Sequence, residues 1–493
     1  MKKYFKIIML TALICLIALT FALYGCVSFN QGVYVTNIVQ TASDNSSQTF
    51  TIYYSDGTTS EFTVSTSGRD GKDGANGRDG KDGRDLTAEE IYQKFVEEYG
   101  ELTYAEFLDI YLSYSADSST VISDILRSTM KVYTEFIETT SSSVPFPFGK
   151  TTDTVVYTGS AVIWSIDEDL DGYTYIVTNY HVVYDNSANA TLNGGYIARK
   201  IYCYVYGSEN TPTVAEQKDG ENYTVYDYGE YAVQCEYVGG SITYDVAVLR
   251  TKTAYLTAIN DGIKAVTPAS AYHVGQTAIA VGNAENYGLS VTQGIVSVEN
   301  EYISLNIDDT FRSYRSIRMD TAIYGGNSGG GLFNSNGQLI GLCNAGDEAD
   351  QSINFAVPID IVRPAVENIL YYFNDGDNAT SGIYSMTLGV TVLSKNVRYV
   401  YNPSSGYGGI CEDIVVGSVI ENSPAQKLGL QEDDVICAIT VNGKEYSLSR
   451  SFNISDILMT VKKGDTLELC YLHDNQQTVK SYTVKADDLK KVD

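Results

Sequence analysis

One short glycine-rich run carries the clearest sign of chemistry in this chain. Residues 325–332 read GGNSGGGL, so five glycines surround the single Ser328. Glycine allows tight turns and close backbone approach that side chains would block. We therefore expect an exposed Ser328 hydroxyl with backbone amides pointing inward beside it. A serine alcohol is a weak nucleophile at neutral pH, so the arrangement is useful only if a base and an orienting acid reach the same place.

The base must be one of three histidines. His181 follows the β-rich run 173–177 in the sequence TNYHVV, which predicts an imidazole at the end of a strand. His273 lies at a turn before a strand, which is typical of a surface residue. The position of His473, in LHDN, is typical of a hairpin tip. We therefore predict that His181 is the base.

The acid is expected where a carboxylate has a reason to be buried. Asp245 stands at the head of an apolar strand in the sequence YDVAVL. Because burial of an unpaired charge is costly, this carboxylate needs a partner, and His181 is the obvious one. A glycine turn or a structural ion pair could explain any one of these motifs alone. Three of them in this order, each at a strand boundary, favour nucleophilic catalysis.

The motifs TNYHVV, YDVAVL and GGNSGGGL together resemble the chymotrypsin-type serine proteases, and more narrowly the bacterial HtrA/Deg branch. The many short strands separated by turn signals predict a mainly β chain with two antiparallel β-barrels over residues 120–378. The resemblance implies that Ser328 is the nucleophile, His181 the base and Asp245 the acid that orients it. The backbone residues expected to form the oxyanion hole are Gly326, Asn327 and Ser328.

A second set of motifs lies in residues 384–486. TLGV at 387–390, then ENSPA, LGL and DVI, and a helix predicted over 454–461, resemble a PDZ domain. The resemblance implies that amides after Leu388 bind a peptide carboxylate and that an exposed strand edge accepts the peptide as an extra strand. Asp433 stands where a glycine is usual, which aspartate tolerates because it adopts left-handed turns. A generic β-rich appendage is the alternative. The residues expected to bind the peptide are Leu388, Gly389, Val390, Ile457 and Leu458.

Residues 1–25 are predicted to be a targeting segment. Three lysines precede an uncharged apolar run over 7–24, which is the order of a secretory signal. The sequence LYGC resembles a bacterial lipobox, which implies lipidation of Cys26 after cleavage. An uncleaved membrane anchor is the alternative, because the run is about long enough to span a bilayer. Both place the chain outside the cytoplasm, at the bacterial cell surface, and tether it to the membrane through its N-terminus.

Three small modules are predicted between this segment and the barrels. Residues 26–67 contain two alternating runs around Asp56-Gly57, which predict a β-hairpin module. Residues 68–85 carry glycine at every third position without proline, which indicates a flexible charged spacer, with a trimerising collagen-like stalk as the alternative. Residues 86–116 show helical spacing of apolar residues and predict a helical hairpin.

Composition restricts the partners. The formal net charge of −28 argues against nucleic-acid binding, which needs clustered lysine and arginine. No histidine or cysteine cluster has the spacing of a metal site, and no cofactor is expected. Cys343, Cys437 and Cys470 lie in apolar strands, where buried thiols are common, so mostly free thiols are expected. The one disulfide pairing worth testing is Cys203 with Cys235.

The sequence therefore predicts a membrane-tethered extracytoplasmic serine endopeptidase that cleaves unfolded or misfolded proteins and binds peptide C-termini at its PDZ domain. By resemblance, it would assemble as a homotrimer through the protease domain. A processing protease with a narrow substrate range is a variant of the same prediction. The alternative from another class is a surface adhesin or scaffold that keeps the protease fold without turnover.

Overall fold

The structure, a computed structural model, describes residues 35–43, 47–54, 58–65, 118–141, 150–169, 171–186, 196–215, 223–307, 310–346, 350–376, 380–403 and 407–492. Residues 1–104 and 105–493 form two compact units. The predicted targeting segment, Cys26, the Gly-X-Y spacer and the predicted helical hairpin lie outside the described residues. In the described part of the chain, no helix has the length and apolar character needed to cross a membrane.

The first unit contains a small antiparallel sheet in the order β1-β2-β3. The sequence predicts a two-stranded hairpin here, and the structure adds a third strand in front of it. Register shifts after Val35 and after Gln40 interrupt the two-residue alternation of that strand, which is why the sequence pattern does not reveal it. The strands are β1 (Val35–Ser43), β2 (Ser47–Tyr54) and β3 (Thr59–Ser65).

The second unit begins with helix α1 (Ser118–Arg127) and a closed six-strand barrel in the order β10-β11-β6-β5-β4-β7. The prediction of an antiparallel protease barrel is confirmed here. Alternate residues of its strands point inward, so that Met130, Phe136 and Leu249 pack into one apolar core. Its strands are β4 (Thr129–Ser141), β5 (Lys150–Ile166), β6 (Tyr173–Thr178), β7 (Lys200–Val205), β10 (Val233–Ser241) and β11 (Val246–Lys252).

Short elements connect these strands. Helix α2 (Tyr180–Val183) follows β6, and helix α3 (Thr253–Thr257) follows β11. The long segment between His181 and Asp245 contains the two-residue strands β8 (Thr213–Val214) and β9 (Tyr226–Asp227), which pair with each other.

The next sheet has the order β12-β17-β16-β13-β14-β15-β18, and β17 also pairs with β18. The pairing of β17 with β18 joins six of these strands into a ring, so the sheet closes on itself. Strand β12 pairs with β17 in parallel outside this ring. Its core is continuous with the apolar face of helix α4 (Ile359–Phe373). The strands are β12 (Thr267–Pro268), β13 (Thr277–Gly282), β14 (Ser290–Ile307), β15 (Thr310–Met319), β16 (Gly331–Phe333), β17 (Gln338–Gly346) and β18 (Asn354–Pro358).

The C-terminal part contains a sheet in the order β20-β21-β22-β24-β25, with β23 paired to β22. Two helices and the inward residues of the sheet form a separate apolar core. A smaller sheet pairs β19 with β26. The elements are β19 (Ile383–Met386), β20 (Val390–Asn402), β21 (Tyr407–Val419), α5 (Pro424–Leu428), β22 (Val435–Val441), β23 (Lys444–Ser447), α6 (Phe452–Thr460), β24 (Thr466–His473), β25 (Gln476–Thr483) and β26 (Leu489–Val492).

Buried polar contacts attach this C-terminal part to the barrels. The Asn368 side chain on α4 donates to the carbonyls of Tyr384 (2.7 Å) and Met459 (2.6 Å) and accepts from the Tyr384 amide (2.9 Å). Arg315 on β15 forms an ion pair of 2.6 Å with Asp456 on α6. These contacts join α4, β19, α6 and the second barrel into one packed body.

Candidate active site

The structure brings His181 and Asp245 together. His181 lies in α2, immediately after β6, and its Nδ1 lies 2.9 Å from Asp245 Oδ2 and 3.0 Å from Oδ1. The His181 backbone amide also donates to Asp245 Oδ1 (3.1 Å). The Asp245 side chain is fully buried, whereas 25% of the His181 side chain is exposed. A buried carboxylate at Nδ1 orients the ring and leaves Nε2 as the nitrogen that can accept a proton.

Asp245 is positioned by an unusual backbone conformation. Its φ of +52° lies in the left-handed region, at the residue that directly precedes β11. Aspartate adopts this region more readily than most residues. The resulting turn points the carboxylate back toward α2 rather than along the strand.

Asn179 is a site residue that the sequence reasoning missed. It is fully buried; its Nδ2 donates to the Asp245 carbonyl (3.0 Å), and its Oδ1 accepts from the Gly329 amide (2.6 Å). The only sequence signal was an asparagine two residues before the predicted base. One side chain therefore ties the backbone of the acid to the loop that carries Ser328.

The loop around Ser328 needs glycine at two positions. Gly326 and Gly329 have φ values of +94° and +83°. A Cβ on Gly326 would lie 2.3 Å from the Asn283 carbonyl oxygen, and one on Gly329 would lie 2.2 Å from that of Ser160. No side chain fits at either position without moving the backbone, so the two glycines fix the path of the chain on both sides of the serine.

The loop is also attached to the first barrel. The Ser160 amide donates to the Ser328 carbonyl (2.8 Å), and the Ser160 hydroxyl donates to the Gly326 carbonyl (2.8 Å). A Cβ on Gly159 would lie 2.7 Å from Val182 Cγ1 and 3.3 Å from the Ser328 carbonyl oxygen. The absence of a side chain at Gly159 thus allows α2 and the serine loop to pack close to each other.

Two backbone amides remain available beside the serine. Within the described residues, the amides of Gly326 and Ser328 donate no hydrogen bond. The Asn327 amide, by contrast, donates to the Tyr324 carbonyl (3.0 Å) and closes a turn. Of the three residues predicted for the oxyanion hole, Gly326 and Ser328 therefore have amides that are free to bind an anion.

The Ser328 hydroxyl makes no hydrogen bond with any residue in the described part of the chain. The serine loop and the His181–Asp245 pair are thus held next to each other through Asn179 and Gly159, without a bond between hydroxyl and imidazole. Such catalytic hydrogen bonds are often long in proteins without substrate and tighten on binding. A cavity of about 370 Å³ opens beside the imidazole, and its lining includes His181, Tyr157, Leu305 and Asn344.

Comparison with known proteins shows which proteases the chain is similar to. The family model of the trypsin-like peptidase domain matches residues 159–342, which contain His181, Asp245 and Ser328. A probable periplasmic serine endoprotease DegP-like from Chlamydia trachomatis is 30% identical over 307 residues, which cover 60% of this chain and 50% of that protein. The serine protease Do-like HtrA from Bacillus subtilis is 27% identical over 383 residues, which cover 75% of this chain and 73% of that protein. The chain is thus similar to HtrA-type serine endoproteases.

The match to these HtrA-type relatives is partial in length. The chain spans half of the chlamydial protein and about three quarters of the Bacillus protein. Among solved structures, the HtrA-type protease AlgW with a decapeptide aligns over 75% of this chain and 98% of that chain, with 22% identity and a TM-score of 0.44.

The other two histidines have other partners. The His273 ring stacks on Tyr407 with centroids 4.3 Å apart, and its Nδ1 lies 3.7 Å from Glu299. His473 ends β24, and its Nδ1 lies 2.6 Å from Asp434 Oδ1. In the described residues, no group of three or more histidine, cysteine or acidic side chains could hold a metal ion.

The residues predicted to bind a peptide meet in the C-terminal part. Leu388, Ile457 and Leu458 belong to one buried apolar cluster, and Val390 packs against it. Gly389 has a φ of +82°, and a Cβ there would lie 2.3 Å from that of Ser423. Within the described residues, the amides of Leu388 and Gly389 donate no hydrogen bond. Asp433, with a φ of +68°, adopts the left-handed turn expected of it.

The structure corrects one prediction about the cysteines. Cys343 is buried as expected, but Cys437 is exposed and Cys470 is only partly buried. The reason is a β-bulge in β22 between Ile436 and Ala438, which turns Cys437 to the outer face of the sheet. All six cysteines in the described residues are free thiols.

Proposed function

We propose that the chain is a serine endopeptidase that hydrolyses unfolded or misfolded proteins through an acyl-enzyme on Ser328. One set of contacts carries the proposal: buried Asp245 holds His181 Nδ1, and Asn179 links Asp245 to the amide next to Ser328. A base, its orienting acid and a nucleophile are thereby joined through protein atoms alone, as acyl transfer to serine requires.

In the proposed mechanism, His181 is the general base. Its Nε2 accepts the proton of the Ser328 hydroxyl as the serine oxygen attacks the scissile carbonyl. Asp245 stabilises the imidazolium that forms, and the imidazolium then gives the proton to the leaving amine. In the second half of the cycle, water takes the place of the serine hydroxyl and hydrolyses the acyl-enzyme. Because the hydroxyl has no hydrogen-bond partner in the described residues, its bond to His181 would form when substrate enters.

The amides of Gly326 and Ser328 would bind the oxyanion of the tetrahedral intermediate. Both are free of acceptors among the described residues, and the positive φ of Gly326 fixes the backbone that carries the first of them. A preorganised donor of this kind contributes on the order of 3 kcal/mol to stabilisation of the transition state. Asn327 would support the hole by closing the turn rather than by donating to the substrate.

We further propose that residues 120–378 are the protease domain and residues 384–486 a PDZ domain that binds peptide C-termini. The unbonded amides of Leu388 and Gly389 support a carboxylate site. Strand β20 pairs only with β21 among the described strands, so its other edge could accept a peptide strand. The apolar cluster of Leu388, Ile457 and Leu458 would receive the terminal side chain.

The N-terminal sequence supports export and tethering at the membrane, with Cys26 as the site of lipid attachment or residues 1–25 as an uncleaved anchor. A homotrimer built on the protease domain is proposed from the family resemblance. Mass spectrometry of the mature N-terminus separates the two anchors. A diacylated Cys26 at the N-terminus supports the lipoprotein, and an intact N-terminal segment supports the helix.

The substrate proposal is tested by degradation of one protein in two states. The purified chain is incubated with a reduced, chemically unfolded protein and with the same protein in its folded form. We expect cleavage of the unfolded form alone by the wild type and no cleavage by Ser328→Ala. Cleavage of both forms would argue against selection of unfolded substrates. Equal cleavage by wild type and variant would contradict the role of Ser328.

A scaffold without turnover is the second candidate, and the unbonded Ser328 hydroxyl is the observation that favours it. A C-terminal peptide added to the degradation assay distinguishes the two readings. If the chain remains inactive on unfolded proteins and peptides with and without that peptide, while it stays folded, the scaffold reading replaces the enzyme.

A further inference from the structure

Two thiols face each other on the outer surface of the C-terminal sheet. Cys437 lies on β22 and Cys470 on the neighbouring β24, where Ala438 pairs directly with Cys470. The bulge between Ile436 and Ala438 makes two residues of β22 oppose one residue of β24. Ile436 points into the buried core, and the next residue, Cys437, points to the exposed face of the sheet.

The contacts of the two sulfur atoms hold them at this surface. The Cys437 thiol donates to the Val435 carbonyl (3.4 Å), and Gln477 Nε2 donates to Cys470 Sγ (3.1 Å). Burial raises the pKa of the Cys437 thiol, and the adjacent Cys470 thiol raises it further. Opposed residues in an antiparallel ladder have Cα atoms about 4.5–5.5 Å apart, and at the bulge Cys437 is the extra residue next to Ala438, the residue opposite Cys470. A disulfide bridges Cα separations of about 4.4–6.8 Å, so the strand spacing is compatible with one.

The chain contains a matched pair of thiols that solvent does not reach. Cys203 on β7 and Cys235 on β10 also lie on neighbouring antiparallel strands, but both are buried in the first barrel. The Cys203 thiol, together with burial, raises the pKa of Cys235. From the sequence, mostly free thiols are expected and this is the one pairing worth testing. An oxidant in solution reaches Cys437 and does not reach Cys203 or Cys235.

We propose that Cys437 and Cys470 form a redox modification site, which closes as a cross-strand disulfide when a low-molecular-weight disulfide reacts with it. Cys437 attacks the small disulfide as its thiolate, which the raised pKa makes a minor species at neutral pH, and this step releases one small thiol and leaves a mixed disulfide. The Cys470 thiolate then attacks Cys437 Sγ and releases the second small thiol. Two protein thiols lose two protons and two electrons, and the small disulfide is reduced to two thiols.

Closure would constrain a functional part of the molecule. The segment between the two cysteines contains β23 and all of α6. Helix α6 carries Ile457 and Leu458 of the apolar cluster and Asp456 of the ion pair to Arg315. A cross-link at the two ends of this segment restricts its unfolded states and therefore stabilises the folded form. An exported chain, which the N-terminal sequence predicts, meets conditions that allow such bonds.

The test uses the full-length chain, reduced and then exposed to glutathione disulfide, followed by thiol blocking and tryptic digestion. Cleavage after lysine separates the two cysteines into peptides 428–444 and 464–480. We expect these peptides to appear joined, with the loss of two hydrogen atoms, while Cys203, Cys235 and Cys343 are recovered as blocked thiols. Recovery of Cys437 as a stable glutathione adduct, or of both peptides as blocked thiols, would overturn the proposal.

Single variants add a readout that does not depend on the digest. Oxidation should raise the midpoint of thermal unfolding of the C-terminal part by about 10 °C or more, because one cross-link contributes about 2–4 kcal/mol and each kcal/mol shifts the midpoint of a unit of about 100 residues by about 4–8 °C. Cys437→Ser and Cys470→Ser should both lose that shift. Cys411→Ser, a partly buried thiol on β21 of the same sheet, should keep it. The same shift in all three variants would show that oxidation acts elsewhere and would overturn the proposal.

Discussion

The chain contains two histidine–aspartate pairs built in the same way. In each, Nδ1 of a partly exposed imidazole faces a carboxylate that is almost fully buried: Asp245 opposite His181 at 2.9 Å, and Asp434 opposite His473 at 2.6 Å. The geometry of the pair therefore does not distinguish a catalytic base from a structural contact.

The surroundings of the two pairs differ. Beside His181, Asn179 connects the aspartate to Gly329, so that the pair lies next to a serine with two unbonded amides. His473 ends a strand and is followed by a turn, and the second oxygen of Asp434 accepts from the Gln431 amide (2.8 Å). The first pair is connected to the proposed nucleophile, whereas the second holds a turn against a strand end. What identifies a catalytic pair is the third partner.

The largest expected effect is the loss of activity when the charge of Asp245 is removed, compared with the same substitution at Asp434. Asp245→Asn should lower kcat/KM on the order of 10⁴-fold, or about 5.5 kcal/mol, because the amide stabilises the wrong imidazole tautomer and cannot stabilise the imidazolium. Asp434→Asn should leave the rate near that of the wild type. The measurement is hydrolysis of an unfolded protein by both variants. Equal losses in the two variants would remove the distinction between the pairs.

A smaller loss is expected from the glycine that connects the serine loop to Asn179. Gly329→Ala places a Cβ 2.1 Å from Thr178 Oγ1 at a φ of +83°. The loop must move, and a displacement of about 1 Å at the reacting groups lowers the rate about 10²-fold. Gly325→Ala, whose Cβ would meet only Glu285 Oε1 at 3.9 Å, should unfold at nearly the wild-type temperature. Wild-type activity in Gly329→Ala would show that the loop position is not critical.

Asn179→Ala tests the link itself. The variant removes the bonds to the Asp245 carbonyl and the Gly329 amide in a fully buried place, and the Gly329 amide keeps only its bond to the Cys343 carbonyl (2.9 Å). We expect a loss of stability of about 1–3 kcal/mol and a loss of activity larger than the fraction unfolded explains. Denaturant unfolding gives the stability, and single-turnover acylation of the folded protein gives the activity. A pure stability effect would make Asn179 structural only.

The smallest effect concerns the second pair and pH. The hydrogen bond with Asp434, followed by its charge, raises the pKa of His473 above its usual 6.5. The folded state therefore binds this proton more tightly than the unfolded state does. The resulting stabilisation is complete below about pH 6.5 and is lost as pH rises through the higher folded pKa. The difference in unfolding free energy between wild type and His473→Gln should thus be larger at low pH than at high pH. Parallel urea titrations of the two proteins measure this difference. A pH-independent difference would contradict this.

The sequence was most informative where local pattern determines structure. Glycine spacing around Ser328 predicted a tight turn with close backbone approach, where Gly326 and Gly329 have positive φ, and an apolar strand behind Asp245 predicted its burial. Alternating residues predicted the barrel strands, and Asp433 adopted the expected left-handed turn. These features depend on few residues that are close in the chain.

Features that depend on distant partners were not predictable. The role of Asn179 rests on an amide 150 residues further along the chain. The exposure of Cys437 rests on a bulge in the pairing of β22 with β24, because one extra residue changes the face of a side chain. The contact between buried Asp434 and His473 likewise joins a turn to the end of a strand 39 residues away in the sequence.

The most direct test of the account is the rate at which a fluorophosphonate probe labels Ser328, measured by intact mass and located by peptide mapping in the presence of an unfolded protein. We compare wild type, His181→Gln and His473→Gln. The account predicts a single adduct on Ser328 that forms equally fast in wild type and His473→Gln and is lost in His181→Gln. Failure of the folded wild type to label, or equal loss of labelling in both histidine variants, would contradict it.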